Sequence, residues 1–297
     1  MNVRRTIRLA AGGFVSALAA FEAQVNLRNF QQTDNVKDDT SRSFLLRAKS
    51  FLQPFNALSS ACAQTTTIPP KVTPWDWNWD GRHPQSSVVQ ATGDNSDGQL
   101  KRNTCSRHLI FIRHGQYHYA ESDEECRLTQ LGREQLDLTG LRLKHLKFPY
   151  SIVHYSTMTR AVESTEEVLK HLPGVKAIPS DLLREGAPYP LEPPLPYYRP
   201  TAEELKRDGD RIETAFKSFV HRPDCGQTRD TYEIFICHAN VIRYFVCRAL
   251  QFPPEAWIRF SLDHGSITWL VIRSDGRVVL RCLGNSGYMP QEKISVQ

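Results

Sequence analysis

The sequence predicts an α/β fold, a mostly parallel sheet flanked by helices on both faces, behind an N-terminal anchor and a mostly irregular linker. Short apolar runs alternate with segments of helical periodicity from residue 106 onward, a pattern typical of parallel sheets covered by helices. The chain has 297 residues and is 40% hydrophobic, so it can bury a substantial core. We expect an anchor or targeting segment at residues 1–25, a linker at 26–105 and one large domain at 106–297.

The predicted strands are short and apolar, and the predicted helices carry apolar residues at helical spacing. The strands are Leu109 to Ile112, Ile152 to Tyr155, Val175 to Ile178, Thr231 to Cys237, Ile267 to Ile272 and Arg277 to Cys282. The last two flank Ser274-Asp275-Gly276, a hairpin signature. Four helices are predicted. The first is capped by Thr129 and carries Leu131, Leu138, Leu141 and Leu146, and the second runs from Ala161 to Leu172. The third follows a capping box at Thr201 and carries Leu205, Ile212, Phe216 and Phe219, and the fourth runs from Val241 to Leu250.

The first 25 residues differ from the rest of the chain. Three arginines (Arg4, Arg5 and Arg8) precede an uncharged run of 13 residues, Leu9 to Phe21, which is shorter than the roughly 20 residues that span a bilayer. A secretory signal peptide, a retained mitochondrial targeting anchor and a plain amphipathic helix all fit this layout. The basic, acid-poor start favours targeting or anchoring.

Cysteine usage points to a reducing compartment. The seven cysteines are an odd number with no pair at C-x-x-C spacing, which disfavours a disulfide framework or a zinc site. Reduced cysteines are typical of the cytosol or a mitochondrial compartment. The net charge of +5 fits an anionic substrate, nucleic acid or an acidic membrane equally well, so it decides little.

The predicted linker contains one aromatic island. Apart from a short predicted helix at Phe44 to Leu58, it is rich in Gln, Asn, Asp, Thr, Ser and Pro. Within it, Trp75 to Asp80 holds three of the five tryptophans of the chain. The alternation places these tryptophans on one side of an extended segment. The segment either folds back onto its own domain or docks on another subunit.

Polar clusters follow three of the predicted strands. Arg113-His114-Gly115 follows the first, Ser156 to Arg160 follows the second, and His238-Ala239-Asn240 follows the strand that ends at Cys237. Because ligands bind beyond the carboxyl ends of parallel strands, we expect two arginines and two histidines in one crevice.

This combination suits a phosphate dianion. Arginine supplies bidentate donors, and helix N-termini add backbone N–H groups. A neutral imidazole can attack phosphorus, and adjacent guanidinium groups should keep His114 neutral. Gly115 lets the backbone approach the ligand. No carboxylate cluster suited to magnesium stands out, so we expect the cationic side chains to stabilise the charge without a metal or cofactor.

The chain from about residue 108 to residue 290 resembles the histidine phosphatase superfamily, also called phosphoglycerate mutase-like. More closely, it is similar to the mitochondrial serine/threonine protein phosphatases of that superfamily. The residues that carry the resemblance are Arg113 to His118, Ser156 to Arg160, Leu183 to Pro188, His238 to Tyr244, Gly265 to Thr268, Gly287 to Pro290 and, in the linker, Trp75 to Asp80.

The resemblance implies a role for each site residue. His114 would be the phosphorylated nucleophile, and Arg113, Arg160 and His238 would hold the phosphoryl group with Gly115. Glu185 would protonate the leaving alkoxide and then activate water. Alternatively, Glu185 is a structural partner of Arg184 or Arg160.

The resemblance also implies location and assembly. It implies a mitochondrial protein whose N-terminus anchors it in a membrane, with the outer membrane favoured and the inner membrane possible. It implies phosphoprotein substrates, no nucleic acid, and homo-oligomers assembled through the island residues Trp75, Asp76, Asn78, Trp79 and Asp80.

Three functions compete at this stage. The first is hydrolysis of phosphoserine and phosphothreonine in proteins, and the proline-rich stretch from Glu185 to Pro200 favours it, as a stiff wall suited to a bulky substrate. The second is a small-molecule phosphatase or mutase on the same fold. The third is a mitochondrial adaptor that uses the fold for docking.

Overall fold

The computed structural model describes residues 73–82 and 105–296. The predicted anchor at residues 1–25 and the predicted helix at Phe44 to Leu58 lie outside this part of the chain. Among the described residues, every helix is too short or too polar to cross a membrane.

The described residues form six strands and four α-helices. In chain order these are β1 (Ser106–Arg113), α1 (Gln130–Leu146), β2 (Tyr150–Ser156), α2 (Thr159–Leu169), β3 (Lys176–Ser180), α3 (Ala202–Phe219), β4 (Thr231–Cys237), α4 (Ala239–Ala249), β5 (Ile267–Arg273) and β6 (Val278–Asn285). The strand order in the sheet is β3-β2-β4-β1-β5-β6. The first four strands in this order are mutually parallel. β5 is antiparallel to both of its neighbours, β1 and β6. The predicted mostly parallel α/β fold is confirmed.

Alternation along β1 builds two cores, one on each face of the sheet. Leu109 and Phe111 face the core that α3 and α4 cover. Ile110 and Ile112 face the core that α1 and α2 cover. All four side chains are fully buried, which is why this strand reads as a continuous apolar run.

The predicted helices are confirmed, but the buried face of α1 differs from the expectation. Thr129 caps α1, since its side chain accepts the N–H of Gly132. The fully buried leucines are Leu136 and Leu143, whereas Leu131, Leu138, Leu141 and Leu146 are half-buried. Small residues on the buried side, such as Gly140, let α1 approach its neighbours closely. The spacing of leucines alone therefore misplaced this face.

The aromatic island folds back onto its own domain. The segment is not extended throughout, because residues 77–80 form a turn in which Asp76 Oδ1 accepts the N–H of Asn78 at 2.8 Å. The indole N–H of Trp79 donates to the carbonyl oxygen of Gly276 at 2.8 Å. Trp77 instead remains 53% exposed. The turn thus separates tryptophans that simple alternation would place together.

A buried ion pair fixes this turn. Arg222 Nη2 lies 2.7 Å from Asp80 Oδ1, with the two side chains only 5% and 1% exposed. The Arg222 backbone N–H also donates to Asp80 Oδ2 at 2.9 Å. Although burial opposes it, these hydrogen bonds hold the pKa of Asp80 below its usual value.

Asp80→Ala should destabilise the protein by about 3–5 kcal/mol, because it leaves a buried guanidinium group unpaired. The matched control is Asp224→Ala, which breaks the exposed pair with Arg82 and should cost less than about 1 kcal/mol. Urea unfolding of both variants measures the difference, and equal losses would contradict the assignment.

Candidate active site

The candidate residues meet at the edge of the sheet where β1, β2 and β4 end. In the β1–β4 register Arg113 pairs with Cys237, so the next residues, His114 and His238, stand side by side. Their ring centroids are 5.2 Å apart. Arg160, in the first turn of α2, places its Nε 3.3 Å from His114 Nε2. The four cationic or imidazole groups expected in one crevice are therefore together.

The contacts of His114 define its tautomer. Nδ1 lies 2.9 Å from the carbonyl oxygen of Gly115, which can only accept, so Nδ1 carries the proton. The lone pair of Nε2 then accepts the Nε–H of Arg160. Burial lowers the pKa of His114 well below its usual value, and His238 and two guanidinium groups lower it further. The expected neutral imidazole is explained by burial first and by its cationic neighbours second.

His238 carries its ring proton on the same nitrogen, Nδ1. Its Nε2 lies 2.8 Å from Ser156 Oγ, and that oxygen also accepts the N–H of Met158 at 3.3 Å. Among the described residues Nε2 is the acceptor available to the Ser156 hydroxyl, so the O–H donates to Nε2 and the ring proton stays on Nδ1. His238 Nδ1 is buried and has no hydrogen-bond partner among the described residues.

The two arginines are buried in different ways. Arg113 donates from Nη1 to the carbonyl oxygen of Leu262 at 2.5 Å, and burial lowers its pKa to about 10, so it stays cationic at neutral pH. Its Nε finds no partner in the part of the chain that the structure describes. Arg160 lies 3.6 Å from Asp123 Oδ1 and 4.8 Å from the centre of the Tyr117 ring. One carboxylate thus offsets part of the positive charge.

The loop after β3 carries Glu185 into the site. Arg211 on α3 donates to the carbonyl oxygens of Arg184 at 2.5 Å and Glu185 at 3.0 Å, which fixes the backbone of this loop. Glu185 Oε1 accepts the N–H of Gly186 at 3.2 Å. In the described residues Glu185 makes no ion pair with Arg184 or Arg160, so the purely structural alternative is not favoured.

Burial raises the pKa of Glu185 above its usual value, although nearby guanidinium groups oppose the shift. These groups belong to Arg160, Arg113 and Arg243. A raised pKa favours the protonated acid, and a bound phosphate dianion would raise it further. Glu185 is therefore suited to donate a proton.

Gly115 is required by packing against α1. A Cβ at this position would lie 2.4 Å from Leu136 Cδ2 and 2.5 Å from the carbonyl oxygen of Gly132. Its N–H donates to Ser164 Oγ at 3.1 Å. That Gly115 also lets the backbone approach a phosphate stays a prediction.

Three residues near the site were missed by reasoning from the sequence: Asp123, Arg243 and His264. Asp123 lies in a short 3-10 turn between β1 and α1, and no local pattern marks it. Arg243 lies three residues after Asn240 of the His238 cluster, a helical spacing that could have indicated it. His264 lies three residues before the start of β5.

The comparisons with known proteins agree on one family. The model of the histidine phosphatase superfamily (branch 1) matches residues 109–192 and 189–284. "Serine/threonine-protein phosphatase PGAM5, mitochondrial" of Mus musculus is 53% identical over 230 residues, which cover 74% of this chain and 80% of that protein. The Xenopus laevis protein of the same name is 53% identical over 239 residues, covering 77% and 86%. The Caenorhabditis briggsae protein is 46% identical over 229 residues, covering 74% and 80%.

The ring protons of His114 and His238 should show no titration between about pH 5 and pH 8, since burial keeps both pKa values well below the ordinary range. NMR titration of imidazole-labelled protein measures this. The urea-unfolded chain is the control, in which both rings should titrate near the ordinary histidine pKa of about 6.5. A midpoint near that value in the folded protein would contradict the site as described.

Proposed function

This chain belongs to the histidine phosphatase superfamily, and from that premise we propose that it hydrolyses phosphoserine and phosphothreonine in proteins through a phosphohistidine on His114. The observation that carries the proposal is the lone pair of His114 Nε2, which accepts the Nε–H of Arg160 and is buried among Arg113, Arg160 and His238. A bound phosphoryl oxygen would take over this N–H and so free the lone pair for attack. The relatives named above are serine/threonine-protein phosphatases, which supports the same substrate class.

In the first step, the Nε2 lone pair of His114 attacks phosphorus as the bond from phosphorus to the serine or threonine oxygen breaks. The proton of Glu185 passes to the departing alkoxide. The hydrogen bond from Nδ1–H to the carbonyl oxygen of Gly115 stabilises the positive charge that develops on the ring. Arg113, Arg160 and the Nδ1–H of His238 donate to the phosphoryl oxygens.

In the second step, water attacks phosphorus and the bond from phosphorus to His114 Nε2 breaks. Ionised Glu185 accepts the proton of this water, and inorganic phosphate leaves. Both protonation states of Glu185 are thus used in turn. Burial favours the protonated acid, and the guanidinium groups beside it favour the carboxylate.

We propose that this chemistry needs no metal ion. Support comes from the donors already placed around His114, because two guanidinium groups and an imidazole N–H can neutralise a transferring phosphoryl group. Turnover should therefore survive treatment with a chelator.

A proline-rich groove beside the site supports a protein substrate. It has a volume of about 380 Å³ and is lined by Pro190, Leu191, Pro194, Leu195, Pro196, Tyr198, Arg199, Pro200 and Leu205. Burial raises the pKa of Tyr198 to about 12, and the negative charge of Glu185 adds to this shift, which supports a groove within electrostatic reach of the acid. Apolar walls of this kind suit an extended peptide better than a small phosphorylated acid.

Location and assembly are further proposals. The relatives are named as mitochondrial, and we propose the same compartment here, with residues 1–25 as the membrane anchor. We also propose that Trp75 to Asp80 joins copies of the chain. The support is Trp77, which stays 53% exposed on a segment whose turn is held rigidly by Asp80.

Trp77→Ala should shrink the assembly in sedimentation velocity while leaving the unfolding temperature unchanged, because this side chain makes little contact with its own domain. Trp79→Ala is the matched comparison. It removes the ring that packs on Phe216, with centroids 6.1 Å apart, so it should lower the unfolding temperature as well. An unchanged particle size in Trp77→Ala would contradict the assembly role and would mean that the segment serves only to pack on its own domain.

Acid-quench trapping with a radiolabelled phosphopeptide tests the catalytic proposal. An acid-labile, base-stable phosphoenzyme is expected in the wild type and not in His114→Ala, whose turnover should fall by at least about 10³-fold. Equal labelling of both proteins would place the nucleophile elsewhere. Absence of both label and turnover in the wild type would favour the docking function instead.

A further inference from the structure

A third histidine lies at the edge of the sheet that carries the site. His264 lies three residues before the start of β5, and β5 runs antiparallel to β1, so the start of β5 lies beside the end of β1. The N–H of Gly265 lies 3.0 Å from the carbonyl oxygen of Arg113 and 3.2 Å from that of His114. The chain at His264 is therefore held directly against the proposed nucleophile.

His264 is fully buried, and its ring centroid is 5.6 Å from that of His114. The C-terminal segment covers its other side. Ser295 contributes two contacts, a carbonyl oxygen that accepts the His264 N–H at 3.0 Å and a hydroxyl 2.9 Å from Nδ1.

The hydrogen bonds around Ser295 define the tautomer of His264. Gln135 Oε1 accepts the N–H of Gln116 at 2.9 Å, so the other end of this amide is the donor. Gln135 Nε2 donates to Ser295 Oγ at 2.9 Å. Among the described residues His264 Nδ1 is the acceptor available to the Ser295 hydroxyl, so the O–H donates to Nδ1.

The imidazole of His264 therefore carries its proton on Nε2. Burial and the cationic Arg113 and Arg160 lower its pKa to about 3, so the ring is neutral at neutral pH. The Nε2–H is buried and has no hydrogen-bond partner among the described residues. An unsatisfied buried donor costs about 1–3 kcal/mol, so a bound group that accepts it would be stabilised.

Three further buried nitrogens near the site share this condition in the described part of the chain: Arg113 Nε, His238 Nδ1 and Arg243 Nε. Of the four, those of His264, Arg113 and His238 belong to side chains beside His114. Neutral or cationic donors around one nucleophile match a single kind of ligand, an anion with several oxygens.

We propose that His264 is a further catalytic residue, whose Nε2–H donates to the phosphoryl group while it is bound to His114, and that Ser295 holds it in the donating tautomer. This rests on the proposed function, since it adds a donor to the same site. The C-terminal segment is thereby part of the active site. A second contact fixes it, because Gln135 Nε2 also donates to the carbonyl oxygen of Lys293 at 2.7 Å.

The test compares four variants for binding of orthovanadate and for hydrolysis of the phosphoenzyme. His264→Leu removes the donor, and His264→Gln keeps an N–H at the end of the side chain. Ser295→Ala removes the hydroxyl that donates to His264 Nδ1, so the ring proton is no longer held on Nε2. His154→Leu is the matched control, because this ring packs between Phe219 and Phe235 away from the site. Calorimetry measures vanadate affinity, and acid quench follows decay of the label.

His264→Leu should weaken vanadate binding and slow dephosphorylation by about tenfold to a hundredfold, as expected for one lost hydrogen bond to a charged group. His264→Gln should recover most of the vanadate affinity, and Ser295→Ala should show a smaller loss of the same kind. His154→Leu should bind vanadate as the wild type does.

Folded His264→Leu with wild-type vanadate affinity would overturn the inference, and so would equal losses in the Leu and Gln variants. If His264→Leu does not fold, wild-type vanadate affinity in Ser295→Ala overturns it. Failure of the proposed function looks different, because the wild type would then form no phosphoenzyme, while vanadate binding by each variant would still report on the donor.

Discussion

The parallel pairing of β1 with β4 is the interaction on which the site depends. Its register sets Arg113 opposite Cys237, and the N–H of His114 continues it by donating to the carbonyl oxygen of Cys237 at 3.0 Å. The backbone pairing therefore brings the two imidazoles together, with their ring centroids 5.2 Å apart. A shift of one residue would send each ring to the opposite face of the sheet.

Burying so many donors around one imidazole is unfavourable for folding, and the surrounding structure compensates for it. Arg113 and Arg160 are 5% and 6% exposed, and within the described residues Asp123 pairs with Arg160 alone. The two apolar cores on the faces of the sheet provide the stabilisation that offsets this cost. An incoming phosphoryl group meets donors that are already oriented, so little reorganisation is needed during reaction.

Two serine hydroxyls set the protonation pattern of the site. Ser156 donates its hydroxyl proton to His238 Nε2, and Ser295 donates its hydroxyl proton to His264 Nδ1, so the other ring nitrogen of each histidine carries the proton. His114 Nδ1 instead faces a carbonyl oxygen that can only accept, which leaves the lone pair of Nε2 for the site. One imidazole thus offers a lone pair and two offer N–H groups. This division suits a nucleophile surrounded by donors, and it depends on neighbours remote in sequence.

The sequence by itself determined the strands, the capped helices and the convergence of Arg113, His114, Arg160 and His238, because apolar periodicity and capping are local and parallel strands bring their carboxyl ends to one edge. Tertiary structure alone decided what depends on approach between distant segments. The buried face of α1 follows from close packing at its glycines, and the turn at residues 77–80 follows from the pair between Asp80 and Arg222. His264 was missed because β5 is antiparallel to β1. The residues that precede β5, and not those that follow it, therefore lie at the edge of the sheet that holds the site.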